Sequence, residues 1–224
     1  MNKKTGKPLI PCFSALTEEQ NSRIQNACYS VTYGIGEVLF KQDAPVSHIM
    51  YVDSGLVKIF KESVNGRSVI FDLASPGTFI TLLTVFGDDI YRCNAAAVEQ
   101  AKVVLMEVSV IRKLIGENGD FASQLLKQTS QEGLNTITKL MNQLQKQLPG
   151  RVAEMLLFFS EKIYNSQAFS LPFSRRELAE FTGTTKESMI RTLSEFRHDK
   201  IIKLDGKKVE ILSSEIIQTL ARLG

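Results

Sequence analysis

The chain has 224 residues, of which 43% are hydrophobic and 23% are charged, and its net charge is +3 with a pI of about 8.7. This composition predicts a globular protein of two domains and excludes a disordered chain. Because 12 Lys and Arg oppose 10 Asp and Glu from Pro149 onward, and 15 oppose 14 before it, bulk charge does not indicate nucleic-acid binding, which has to be argued from placement.

Targeting and redox signals are sparse. No apolar run resembles a signal peptide or a transmembrane helix, so we expect no membrane partner. The three cysteines, Cys12, Cys28 and Cys93, are scattered and odd in number, which argues against a disulfide framework. These features predict a cytoplasmic protein.

The first half of the chain reads as a helix followed by short strands. Phe13–Cys28 has a helical pattern, with Ser14 or Thr17 as the N-cap. From Ser30 to Val108, short apolar segments alternate with turn residues, a spacing typical of a small β-sandwich or barrel. The Asn65-Gly66 pair between two apolar segments predicts a β-hairpin.

The period then changes to helical. Ser109–Glu117 predicts one helix, and a longer helix is predicted from Asp120, its N-cap, to Leu148. Pro149-Gly150 breaks the pattern, which places a domain boundary there.

Apolar residues at steps of three and four form one seam on the long helix, and its other positions are polar. A narrow seam on a polar helix suits pairing with a second copy of the helix in a parallel dimer; the alternative is a stripe packed on its own domain. The predicted dimer contacts are Leu134, Ile137, Met141, Leu144 and Leu148.

Three further helices are predicted beyond the boundary, over Arg151–Tyr164, Arg175–Phe181 and Lys186–Asp199. Two apolar segments, 201–204 and 209–212, then predict a β-hairpin whose tip, 205–208, is basic.

The second and third of these helices have the spacing of a helix-turn-helix. Ser174 and Glu177 form a capping box that starts the first helix. Gly183 follows where a sharp turn needs a left-handed residue, and Thr185 caps the next helix. Small and apolar residues at suitable offsets, Leu178, Ala179, Met189 and Leu193, allow the two helices to cross closely.

The exposed face of the Lys186–Asp199 helix has a chemistry suited to the DNA major groove. Arg191 can donate two hydrogen bonds to guanine O6 and N7, and Glu187 can accept one from cytosine N4. The alternative is a solvated helix with an ordinary Glu187–Arg191 ion pair. The same face presents Lys186 and Ile190, and the predicted phosphate contacts are Arg175, Arg176, Ser188, Lys207 and Lys208.

Several motifs resemble the cyclic-AMP receptor protein / fumarate-nitrate reduction regulator (CRP/FNR) superfamily over nearly the whole chain. They are Tyr33-x-x-Gly36-Glu37-x-Leu39-Phe40, Val52-x-Ser54-Gly55-x-Val57-Lys58, Ser75-Pro76-Gly77-x-Phe79 and Lys186-Glu187-Ser188-Met189-Ile190-Arg191. Lys186 stands where the family has Arg or Val, and Thr192 where an aliphatic residue is usual.

The resemblance implies an α+β fold in three parts: an N-terminal cyclic-nucleotide-binding-type β-roll (jelly roll) over 1–119, a long dimerisation helix over 120–148, and a C-terminal winged helix-turn-helix over 149–224. It also implies a homodimer that binds double-stranded DNA at TGA-like half-sites and contacts RNA polymerase. Glu187 and Arg191 would be its base readers.

The resemblance also locates an effector pocket. Cyclic-nucleotide-binding relatives have Gly-Glu-Leu in this cassette, followed by an arginine and Ser or Thr; the corresponding residues here are Thr81, Leu82, Leu83, Arg92 and Cys93. Leu82 replaces the glutamate that accepts from the ribose, which would leave a buried hydroxyl unpaired. Cyclic AMP is therefore disfavoured, and Arg92 either holds another anion or pairs with Asp88 or Asp89.

The cysteines and histidines limit which other effectors and activities can be expected. Three scattered cysteines cannot supply the four thiolates of an iron-sulfur cluster. Haem stays open with His48, His198, Cys12 or a methionine as a ligand, as do redox sensing by Cys93 and a constitutive regulator with a vestigial pocket. A cupin-like metalloenzyme usually needs two or three histidines and a carboxylate converging on the metal. The chain has only two histidines, and His198 lies in the other predicted domain, so we expect no metal site and no catalytic residues.

Overall fold

The computed structural model describes residues 10–62, 68–87 and 89–224. Contacts divide the chain into two units: the first comprises the described residues up to Lys61 and Leu73–Thr136, and the second Glu62–Asp72 and Ile137–Gly224. The predicted Asn65-Gly66 turn lies outside the described residues.

The first unit begins with a 3-10 helix, Pro11–Ala15, and helix α1, Glu18–Asn26. Thr17, and not Ser14, is the N-cap of α1. Its hydroxyl accepts from the Gln20 backbone N–H at 3.2 Å, while the Gln20 side chain accepts from the Thr17 N–H at 3.1 Å. This reciprocal pair satisfies two donors at the helix start.

Two sheets follow in the described part of the N-terminal half. Their strands are β1 (Cys28–Tyr33), β2 (Val38–Phe40), β3 (His48–Ser54), β4 (Val57–Glu62), β5 (Ser68–Ala74), β6 (Asn94–Ala97) and β7 (Ala101–Glu107). The first sheet has the order β1-β7-β3, and the second β2-β6-β4-β5. The strands on either side of the predicted hairpin, β4 and β5, are neighbours in the second sheet.

Gly55 links two of these strands through a position that only glycine tolerates. Its φ is +80°, and a Cβ built there would lie 2.2 Å from the Gln100 carbonyl oxygen. Any side chain would therefore displace backbone, which explains the glycine in the Ser54-Gly55 turn.

Three helices complete the core of the first unit: α2 (Leu82–Val85), α3 (Val108–Glu117) and α4 (Gly119–Gln145). Asn118 ends α3, and its side-chain oxygen accepts from the Phe121 N–H at 3.0 Å, so Asn118 and not Asp120 caps α4. The first sheet and the helices share an apolar core. Fully buried members of it include Ile49, Leu82, Met106, Leu114 and Phe121.

The second unit contains helix α5 (Leu148–Leu157), a π-helix (Phe158–Ile163), β8 (Ala168–Ser170), α6 (Arg175–Thr182), α7 (Lys186–His198), β9 (Ile202–Asp205), β10 (Lys208–Ile211) and α8 (Ser214–Leu223). The strands form an antiparallel sheet of order β8-β10-β9. Phe159 is fully buried at the centre of this unit, with the rings of Phe169, Phe173 and Phe181 about it at centroid distances of 6.0–6.3 Å.

Two boundary predictions are wrong. Helix α4 ends at Gln145, and Leu148 and Pro149 open α5, because a proline in the first helical turn loses no intrahelical hydrogen bond. The helix predicted over Arg151–Tyr164 is instead α5 continued by the π-helix. The three-part division at 119 and 148 stays a prediction; the contact division falls within α4.

The predicted α+β architecture is confirmed: a β-roll, a long helix and a C-terminal helix-turn-helix with a β-wing follow one another along the chain. Among the described residues, no helix is both long enough and apolar enough to cross a bilayer.

Candidate nucleic-acid interface

Helix α6 starts at the predicted capping box. The Ser174 hydroxyl accepts from the Glu177 N–H at 3.3 Å, and the Glu177 carboxylate accepts from the Ser174 N–H at 2.9 Å. The arrangement fixes the first turn of α6 and leaves its N-terminal residues at the surface.

The turn between α6 and α7 has the predicted geometry. Gly183 ends α6 in the left-handed conformation, with φ 66° and ψ 44°. Thr185 then caps α7 by accepting from the Ser188 N–H at 3.2 Å. Leu178 and Ala179 are buried on α6, and Met189 and Leu193 on α7, so the predicted crossing of the two helices is confirmed.

The outer face of α7 is open. Lys186, Glu187 and Arg191 are exposed, and Ile190 retains 42% of its surface. In the described parts of the chain, no ion pair joins Glu187 to Arg191. Both charged groups are therefore available to an external partner. Thr192, by contrast, is 3% exposed and faces the core, so its departure from the family pattern does not alter this face.

Ser188 lies half-buried at the first turn of α7. Its hydroxyl oxygen accepts from Thr185 Oγ1 at 3.1 Å, and its N–H donates to the same atom. Ser188 therefore belongs to the helix cap, while its own hydroxyl hydrogen stays available for a phosphate oxygen.

The β9–β10 hairpin presents two lysines beside this helix pair. Lys207 and Lys208 are exposed at and beside a tight turn whose register pairs Asp205 with Lys208. The Leu171 N–H donates to the Lys207 carbonyl at 2.9 Å, which fixes the tip to the segment before α6. The basic tip predicted from the sequence is thus a supported wing.

The two arginines at the start of α6 differ. Arg175 is half-buried, donates from Nη2 to the Gly206 carbonyl at 2.5 Å, and has its pKa lowered by burial. It connects α6 to the wing, a contact across 31 positions that local pattern cannot reveal. Arg176 has 71% of its side chain exposed and pairs with Glu180 at 2.9 Å, so its free surface remains suited to a phosphate.

Two residues of the effector cassette are buried in the β-roll. Thr81 is 1% exposed; its hydroxyl accepts from the Met50 N–H at 3.0 Å and donates to the His48 carbonyl at 3.3 Å. Leu82 is fully buried in the apolar core, while Leu83 points outward with 52% of its surface exposed. Thr81 and Leu82 therefore stabilise the β-roll.

The structure describes one of the two aspartates that were predicted to pair with Arg92. Asp89 pairs with Arg112 at 2.6 Å, and Asp88 lies outside the described residues. Arg92 is exposed, and its predicted role as an anion ligand stays a prediction.

The surroundings of Cys93 bear on the prediction that this thiol senses redox state. Burial raises the pKa of its thiol to about 11, with Lys61 opposing the shift. The thiol is therefore protonated at neutral pH, and its thiolate fraction grows as pH rises towards that value. We expect iodoacetamide to alkylate Cys93 about tenfold faster per pH unit from pH 7 to about pH 10, measured by peptide mass spectrometry. A rate that levels off near pH 8 would contradict the burial effect and favour a reactive thiol.

His48, one of the residues considered as a haem ligand, has a contact at each ring nitrogen. His48 Nδ1 lies 2.8 Å from Ser47 Oγ, and Nε2 lies 3.2 Å from the Tyr29 hydroxyl. Across the described part of the chain, no cluster of three or more His, Cys, Asp or Glu side chains is arranged to hold a metal ion.

The apolar seam of α4 is exposed in the single chain. Leu134, Ile137, Met141 and Leu144 are 62%, 57%, 46% and 81% exposed. Leu140, which the sequence prediction omitted, flanks this seam three residues after Ile137 and is 49% exposed, whereas Leu126, 68% exposed, is separated from the seam by the polar and small residues 127–133. Leu148 belongs to α5 and not to this seam. An exposed apolar stripe over 134–144 marks an interaction surface.

Two family profiles match the chain: "Cyclic nucleotide-binding domain" over residues 30–118 and "Crp-like helix-turn-helix domain" over residues 150–219. The first covers the sheets and α3, and the second runs from α5 into α8.

Similar proteins align with most of the chain. The CRP-like cAMP-activated global transcriptional regulator of Mycobacterium tuberculosis is 25% identical over 196 residues, which are 86% of this chain and 88% of the relative. The transcriptional activator protein anr of Pseudomonas aeruginosa is 26% identical over 190 residues, 83% and 78% of the two chains. The solved structure of FixK2 from Bradyrhizobium japonicum has the same fold, with a TM-score of 0.79, 24% identity, and coverage of 86% and 96%.

Proposed function

The chain belongs to the CRP/FNR superfamily of transcription regulators, and on that premise we propose that it is a homodimer that binds a specific DNA sequence. The observation that carries the proposal is the open face of α7, where Glu187 and Arg191 are both exposed and unpaired with each other beside a basic wing. The family consists of regulators and not of enzymes.

Each exposed group of α7 has a role in the major groove. Arg191 donates two hydrogen bonds to a guanine, and Glu187 accepts from a cytosine amino group, as a TGA-like half-site and its complement require. Ile190 offers an apolar surface to a thymine methyl group. Lys186, Arg176, Ser188 and the wing lysines Lys207 and Lys208 contact phosphates and fix the register.

In the proposed dimer, the second copy of the chain binds along the α4 seam. Pairing of two chains along Leu134–Leu144 would bury the exposed apolar side chains and place two α7 helices for half-sites about one DNA turn apart. The dimer would then contact RNA polymerase when bound beside a promoter, in the cytoplasm.

The sensor half supports a narrower proposal. Leu82 is fully buried where a ribose-binding glutamate would stand, and Thr81 is bonded to two backbone groups of β3. A cyclic nucleotide would have to displace this packing and would find no acceptor for its hydroxyl. We therefore propose a regulator that does not respond to cyclic AMP and binds DNA without it; a haem-responsive regulator is the second candidate.

The direct test is binding to the promoter DNA beside its own gene, by gel shift and footprinting. We expect the native protein to protect a two-part site and Arg191→Ala to lose about 1–3 kcal/mol of binding free energy per half-site. Arg197→Ala is the matched control, because Arg197 is exposed on the last turn of the same helix, where base edges are out of reach.

Equal affinity of Arg191→Ala and the native protein for the same DNA would overturn the assignment of α7 as the reading helix. An absorption spectrum of the purified protein separates the two candidates, since a Soret band would establish haem.

A further inference from the structure

A small pocket lies inside the second unit, away from the cassette. Its volume is about 110 Å³, and all of its lining residues belong to that unit. The walls are mainly apolar: Phe71, Met155, Phe158 and Phe181 line it, and the rings of Phe158 and Phe181 lie 6.2 Å apart. Its volume and lining suit one small apolar group.

Most polar groups at the rim are already paired. Glu154 accepts from Asn142 at 2.6 Å and pairs with Lys146 at 3.0 Å. Lys139 pairs with Asp72 and lies over the Phe158 ring. These pairs compensate one another, so none of them needs a ligand.

Arg151 is the exception. Its Nη1 donates only to carbonyls, Gln143 at 3.3 Å and Lys146 at 2.9 Å, and its Nε is buried without an acceptor. Over the described residues, no carboxylate lies within ion-pairing distance of Arg151. The pocket therefore has one positive charge that is bonded to carbonyls at the end of α4 but has no carboxylate partner, and one unsatisfied donor, both of which favour an anion.

We propose that this pocket binds a small aromatic carboxylate, with its ring packed against the contacting rings of Phe158 and Phe181 and its carboxylate against Arg151. A cavity of about 150 Å³ encloses benzene, so a pocket of about 110 Å³ holds at most one ring, part of which stays outside the pocket. The carboxylate would accept a charge-assisted hydrogen bond from the partly buried guanidinium.

The site also has a route to DNA binding, which rests on the proposed function. Gln143 of α4 donates to the Phe181 carbonyl of α6 at 3.2 Å, and both residues line the pocket. A ligand bound there would contact both α4 and α6, the first helix of the helix-turn-helix. It would therefore bias the orientation of α6 relative to α4 if it binds one orientation better.

The test uses the full chain and calorimetric titration with sodium benzoate, benzyl alcohol and sodium acetate. We expect saturable binding of benzoate, at least about tenfold weaker binding of benzyl alcohol, and none of acetate. Arg151→Gln should lose benzoate binding by at least about tenfold while Arg151→Lys keeps most of it. If Arg151→Gln does not fold, the ratio of benzoate to benzyl alcohol on the native chain decides the same question.

Location is tested by fluorescence, because the sequence contains no tryptophan. Benzoate should change the emission of Phe71→Trp saturably and leave that of Phe86→Trp, on the exposed surface after α2, unchanged. Absence of saturable benzoate binding, or equal affinity for benzyl alcohol, would overturn the proposal. Native protein that protects operator DNA but does not bind benzoate refutes the pocket alone; benzoate binding without any sequence-specific DNA binding refutes the proposed function alone.

Discussion

Replacing both Ile137 and Leu144 with lysine should convert the protein to monomers and weaken binding to a two-half-site operator by about 10²–10⁴-fold, the range over which linked sites gain from each other. The two side chains are 57% and 81% exposed in the single chain, so the substitutions cost little within one protomer. In a paired seam, four lysine ammonium groups would instead be brought together in apolar surroundings. Sedimentation velocity and operator titration measure both effects.

A second double variant controls for added charge. Gln124→Lys with Asn135→Lys introduces the same two lysines on exposed positions of α4 that face away from the seam. This protein should remain a dimer with near-native affinity. A dimer of native affinity in the Ile137→Lys, Leu144→Lys protein would show that the seam is not the contact between copies.

Phe159→Ala should destabilise the second unit by about 3–5 kcal/mol, the cost of an aromatic cavity in a packed core. The ring is fully buried and its neighbours are themselves aromatic, held by the π-helix, β8, α6 and the segment before α6, so the site cannot collapse easily. Because the same cluster supports α6, operator binding should fall with the folded fraction. Urea unfolding followed by circular dichroism measures the loss.

The matched control for that variant is Phe86→Ala. Phe86 is 42% exposed after α2, so its removal should change the free energy of unfolding by no more than about 0.5 kcal/mol. If the two alanine variants were equally stable, the aromatic cluster would not be the core of the winged domain.

The helix-turn-helix could be predicted from the sequence because its determinants are local. Ser174 with Glu177, the left-handed Gly183 and the Thr185 cap all act within three or four residues, and the structure has each of them. The outward face of α7 follows from helical spacing alone. The roles assigned to its side chains in DNA remain predictions.

Long-range contacts account for what could not be predicted. Strand β6 contains three consecutive alanines, which have little β-propensity, and it forms because β2 and β4 pair with it on either side. Arg175 contacts Gly206 across the wing, and Thr81 bonds to strand β3, in each case about 30 positions away in sequence. The α4–α5 boundary was misplaced because Pro149 suits the first turn of a helix as well as it breaks one.

In the proposed complex, α7 specifies the DNA sequence while the wing only positions the protein. Binding of native protein, Arg191→Ala and Lys207→Ala to every single-base substitution of one operator half-site tests it most directly. We expect Arg191→Ala to lose discrimination at one base pair, about 1–3 kcal/mol, and Lys207→Ala to weaken binding uniformly and lower the salt slope by about one. An unchanged base profile for Arg191→Ala, or an altered one for Lys207→Ala, would contradict the account.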